Sequence, residues 1–120
     1  MKPFSTQPLP EHIGSAVNAN VVLNLPALGG GIQPLDGRAY VLGGVAWSYS
    51  GGAPIGGRLT IENGAGDIVF DIDITAEGPD SIMFSPYLRG SLNTAFIITL
   101  FAAGGGVKGK VNAIGLHTQG

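Results

Sequence analysis

The densest acidic group in the sequence is Asp67, Asp71 and Asp73, in the stretch DIVFDID. Asp71 and Asp73 stand two residues apart in a run of alternating character. On a strand both carboxylates would project from one face, roughly 7 Å apart. Carboxylates so placed can bind calcium or act as acid and base on a glycosidic bond. Calcium loops, however, supply ligands from a curved backbone, and this stretch reads as a straight strand. The pair is therefore expected on a solvated outer face, or in ion pairs with Lys108 and Lys110 on the last strand, where exposed charges contribute little. The two histidines, His12 and His117, lie towards the two ends of the chain with no carboxylate cluster beside them. A catalytic triad needs nucleophile, base and orienting group in one place, and nothing sets Ser48 or Ser85 beside either imidazole. Trp47, Tyr49, Tyr40 and Tyr87 could make an aromatic platform for sugars. But Trp47 shares a face with Val45 and Tyr49, which points to core packing. The glycine motifs GGGIQPLDG and AAGGGVKGKV lack the strand–loop–helix context of a phosphate loop. No catalytic residue, cofactor site or metal site is assigned, and the expectation is a protein that is not an enzyme.

The elements that would position these residues are strands. Residues 57–75 hold two alternating runs around Asn63-Gly64-Ala65-Gly66, a β-hairpin signature. Leu59 and Ile61 oppose Arg58, Thr60 and Glu62. Ile68, Phe70, Ile72 and Ile74 oppose Asp67, Val69, Asp71 and Asp73. Residues 13–25 read as one strand or a pair, with Val21, Leu23 and Leu25 on one face and Val22 and Asn24 on the other. Residues 38–50 form a long strand, with Val41, Val45, Trp47 and Tyr49 set against Tyr40, Leu42, Ala46 and Ser48. Gly43-Gly44 in its middle predicts a bulge, bend or close approach. Residues 81–85 give a short strand carrying Ile82 and Phe84, followed by a loop over 86–90. Residues 94–101, TAFIITLF, are apolar on both faces, as in a strand buried on both sides or one whose outer face meets another subunit. Residues 107–117 alternate Val107, Val111 and Ala113 with Lys108, Lys110 and Asn112. No stretch has helical periodicity with a capping signal. The fold class is therefore all-β: an antiparallel β-sandwich, with a jelly roll as the specific expectation. Residues 13–120 are expected to be a single domain. Residues 1–12, with Pro3, Pro8 and Pro10, read as an extended N-terminal arm.

Composition narrows the function classes. Charged residues are 12% of the 120, about half the usual share, so neutral residues must cover much of the surface. Glycine, at 21 residues, is well above average, yet 44% hydrophobic content excludes a disordered tract. A surface so poor in charge suits a subunit whose faces are occupied by neighbours. With no cysteine, disulfides and thiolate metal sites are excluded, which fits assembly in a reducing compartment. A net charge of −2 gives no case for nucleic acid. No apolar run is long enough to span a bilayer as a helix, and MKPFSTQPLPEHIG does not read as a secretory signal.

The run SIMFSPYLRGSLNTAFIITLFAAGGGVKGKVNAIG resembles small proteins encoded among the head genes of tailed bacteriophages. The shared features are Leu88-Arg89-Gly90 after a short strand, Asn93-Thr94-Ala95 leading an apolar strand, then a glycine turn and Gly109-Lys110-Val111-Asn112. The resemblance covers residues 57–116 and is structural, not chemical. It implies a virion protein: a jelly-roll decoration or cement protein, homotrimeric, on the capsid surface, assembled in the host cytoplasm. Its implied partner is a major capsid protein or another virion protein. A carbohydrate-binding β-sandwich or a tail component is the alternative. Phe4 and Leu9 in the arm, and Ile97 and Phe101 on the doubly apolar strand, are the expected partner-binding residues.

Overall fold

A computed structural model describes residues 13–25, 39–91, 94–114 and 117–119, the last group and residues 39–40 by backbone alone. The arm at 1–12, with Phe4, Leu9 and His12, lies outside the described residues. Nine strands are present among the described residues: β1 (Ile13–Val17), β2 (Val21–Leu25), β3 (Ala39–Ser50), β4 (Gly57–Asn63), β5 (Ile68–Ile74), β6 (Asp80–Arg89), β7 (Phe96–Leu100), β8 (Lys108–Ile114) and β9 (His117–Gln119). They form two antiparallel sheets, one ordered β1-β8-β3-β6 with β9 paired to the start of β3, the other ordered β2-β7-β4-β5. The first eight strands pair in a nested way: β1 with β8, β2 with β7, β3 with β6, β4 with β5. Such pairing is a long hairpin of four strand pairs rolled into two facing sheets, which is the jelly roll.

The inner faces follow the alternation. Val21, Leu23 and Leu25 of β2, Leu59 and Ile61 of β4, Phe96, Ile98 and Leu100 of β7, and Val111 of β8 are buried in one core. Each such side chain removed from water contributes about 1.5–3 kcal/mol. Trp47 and Tyr49 of β3 belong to this core. The Tyr49 hydroxyl donates to the Phe101 carbonyl at 2.8 Å, tying one sheet to the segment that leaves the other. Burial pushes the Tyr49 phenol above its ordinary pKa. Across the β5–β6 side, Phe70 and Phe84 meet edge to face with centroids 5.3 Å apart.

The corner between β1 and β2 switches the chain from one sheet to the other. Asn18 takes φ of 60°, a conformation asparagine tolerates better than most residues. Its side-chain oxygen accepts from the Gly106 amide, and that of Asn20 accepts from the Ala102 amide at 2.8 Å. Two asparagines thus pin this corner to the β7–β8 connection.

The structure departs from the alternation in four places. Leu42, assigned to the outward face of β3, is fully buried in the core. Its neighbour Val41 is buried too, so this end of β3 is covered on both faces. The register with β6 does shift between Leu42 and Gly44, but the extra residues lie in β6, since Val41 to Gly44 keeps step with His117 to Ile114 on the other side. Ile68, assigned to the buried face of β5, is 50% exposed. A bulge sets Ile61 opposite Phe70 but Glu62 opposite Ile68, so Ile68 shares the outer face. The segment read as a loop after residue 85 belongs to β6, which runs to Arg89 with Leu88 opposite Leu42. Prolines usually end a ladder; here the pairing breaks between Met83 and Leu88 around Pro86 and then resumes. Finally, β9 is a strand that the alternation did not announce.

Candidate interaction surface

The outer face of the β2-β7-β4-β5 sheet is built in cross-strand rows. Val22, Thr99, Thr60 and Asp71 lie side by side, as do Asn24, Ile97, Glu62 and Ile68. Beyond them the Phe101 amide donates to the Arg58 carbonyl at 2.9 Å, and Arg58 stands opposite Asp73. The β7 pattern is as expected: Phe96, Ile98 and Leu100 fill the core, while Ile97 and Phe101 emerge partly exposed on the outside. Of the expected partner-binding residues, Ile97 and Phe101 therefore share one surface. Thr60 and Thr99, which face each other at its centre, are buried. This burial was not expected of Thr60, which the alternation assigned to a polar face. The face is thus apolar or neutral along β2 and β7 and acidic along β4 and β5.

One cation organises the acidic side. Arg58 Nε donates to Asp71 Oδ1 at 2.8 Å and Nη2 to Asp71 Oδ2 at 2.7 Å, a two-pronged pair. The same guanidinium lies 5.1 Å from the centre of the Phe101 ring, within cation–π range. The partners expected for the aspartates, Lys108 and Lys110, are on β8 in the other sheet. That expectation is corrected by topology: β5 and β8 never share a face, whereas Arg58 sits beside β5 on β4. Arginine at 58 was legible only as one polar member of an alternating strand, and its role needed the register.

The hydrogen bonds from Arg58 hold the Asp71 carboxyl below the usual carboxylate range. A depressed folded-state value means that the pair's contribution is present above the unfolded carboxylate pKa. It is lost as the pH falls through the folded value. Both side chains are well exposed, 38% for Arg58 and 43% for Asp71, so solvent screens the pair and its contribution is small. Asp71→Asn with Asp73→Asn is expected to leave the neutral-pH melting temperature nearly unchanged and to flatten its fall at acid pH. Thermal scans from neutral to acid pH, with and without calcium, check this. A calcium-dependent rise in wild type that the double variant lacks would make the aspartates a cation site.

Among the described residues no three His, Asp or Glu side chains come together in a form that could hold a metal ion. Trp47 and Tyr49, two members of the possible sugar platform, are inside the core, while Tyr87 is exposed on β6. His117 is in β9, paired with Val41 through the backbone.

No protein-family model matches the chain, and no curated protein matches it. Among solved structures it is similar to the coat protein of Tobacco streak virus over 90% of each chain, with 13% identity and a TM-score of 0.39.

Proposed function

We propose that the chain is a non-enzymatic structural virion protein: a decoration or cement protein that binds the assembled phage shell as a homotrimer and stabilises it. The observation that carries the reading is the outer face of β2-β7-β4-β5. It holds Val22, Ile97 and Phe101 together, with Val22 exposed and charge confined to its β4–β5 side. The resemblance of residues 57–116 to phage head proteins supports the virion setting. Stabilisation needs no chemistry, because a protein that binds only the assembled shell shifts the equilibrium toward it. A trimer adds multivalent attachment. Of the described aromatic side chains, the carbohydrate-binding alternative has lost Trp47 and Tyr49 to the core and keeps Tyr87 exposed. A glycan array separates the two, since a cement protein binds no sugar.

The arm belongs to the same proposal. Its prolines reduce the entropy lost when an extended segment is fixed on a partner, and Phe4 and Leu9 supply apolar anchors. Deleting residues 1–12 is expected to leave the β-content and melting temperature of the isolated chain almost unchanged while weakening retention on stripped shells. Phe4→Ala should give part of that loss. Equal retention of full-length and truncated protein would remove the arm from the interface, and collapse of the truncated fold would make it part of the domain.

A further inference from the structure

The two outer faces of the sandwich differ in charge. On the first sheet, β8 presents Lys108 and Lys110 outward. Val17 and Ser50 flank Lys108, and Ser15 and Ser48 flank Lys110. No acidic residue stands opposite either lysine, and neither makes an ion pair or side-chain hydrogen bond among the described residues. Beside them on the edge strand β1, Ile13 and Val17 are 57% and 50% exposed. The margin is therefore an apolar strip next to a basic strip.

The outer face of β2-β7-β4-β5 has the same layout with the opposite sign. Its apolar strip is Val22, Ile97 and Phe101. Its charged strip is Glu62, Asp71 and Asp73 against Arg58, so three negative charges less one positive leave −2, matched by the two lysines. The spacing also agrees. Lys108 and Lys110 are neighbours on one face of one strand, as are Asp71 and Asp73, and the repeat in both is roughly 7 Å. The apolar-to-charged offset is one strand spacing on β1–β8 and two on β7–β5, a difference that the flexible lysine stems can span.

We infer that these are the two halves of one contact between copies of this chain: the β1–β8 margin of one copy docks on the β2-β7-β4-β5 face of the next. Lys108 and Lys110 then meet Asp71 and Asp73, while Ile13 and Val17 meet Ile97 and Phe101. Because the two patches are different, the contact is head to tail, the kind that builds closed rings when the rotation permits. The inference rests on the reading of the chain as a self-associating subunit and names the surfaces involved.

Charge exchange tests it. Lys108→Glu/Lys110→Glu and Asp71→Lys/Asp73→Lys are purified separately, checked for native circular dichroism and melting, and run by analytical ultracentrifugation alone and mixed. Each alone is expected to associate at least about tenfold more weakly than wild type, like charges now facing each other. The mixture should regain association, and high salt should weaken the wild-type contact. The single variants Lys110→Glu and Asp73→Lys repeat the test without touching the Arg58–Asp71 pair, should the double aspartate variant unfold. Association unchanged by reversal, mixtures no better than the separate variants, or a wild type that stays monomeric would each overturn the inference. The assay contains no shell, so a failure to bind shells and a failure of this contact are read independently.

Discussion

Ile98→Lys is expected to abolish the folded state, whereas Ile97→Lys one position earlier is expected to leave it intact and to remove association. Ile98 is fully buried between Leu23 of β2 and Ile61 of β4. An ammonium there has no counter-charge among its neighbours, and an unpaired buried ion costs several kcal/mol even after relaxation. Domains of this size have about 5–15 kcal/mol in total, and the substitution also forfeits the packing of a core isoleucine. Ile97 points the other way, beside Asn24 and Glu62 on the outer face. A lysine there keeps its charge in water and lies next to a carboxylate, so the monomer should melt near the wild-type temperature. Its charge would sit in the apolar strip that a neighbour is to cover. Circular dichroism and sedimentation of the two variants side by side separate core from surface. If both unfold, the face is part of the fold and not an interface; if neither changes association, Ile97 lies outside it.

The second large effect is expected at Gly44. A Cβ built there would lie 2.6 Å from the Ile82 carbonyl oxygen and 2.5 Å from the Met83 sulfur. The methionine can swing aside, but the carbonyl belongs to the β6 backbone and can yield only if the strand moves. Gly44→Ala should therefore lower the melting temperature by roughly 5–15 °C, from overpacking on the order of 1–3 kcal/mol. The amides of β6 should exchange faster with solvent before those of β7 do. Gly105→Ala is the control, since nothing lies within 4 Å of its Cβ position. A Gly44→Ala protein as stable as that control would mean that β3 and β6 are not in close contact at the bulge.

These two sites also mark what the sequence makes legible. Ile97 and Ile98 could be sorted by alternation alone, because β7 is regular and its period of two survives from end to end. Gly43-Gly44 announced an irregularity, but the extra residues fall in the partner strand β6, and the start of β3 is buried on both faces, at Val41 and at Leu42. Leu42 could be placed only once the register with Leu88 was known. The same holds for Ile68 beyond the bulge in β5. The Arg58–Asp71 pair was hidden for another reason. Any of several cations could have served Asp71, and the choice depends on strand order, which in a jelly roll joins strands far apart in sequence. The buried Thr60–Thr99 pair was equally out of reach, since Thr60 alternates with apolar residues like any solvent-facing threonine.

The most direct test of the proposed role is sedimentation of the purified chain with assembled phage shells from which decoration proteins have been stripped. The account predicts that the protein pellets with the shells at a saturating ratio, stabilises them against heat or chelator, and loses retention on Ile97→Lys. Protein that remains in the supernatant with every shell preparation, at concentrations where it is folded, would contradict it.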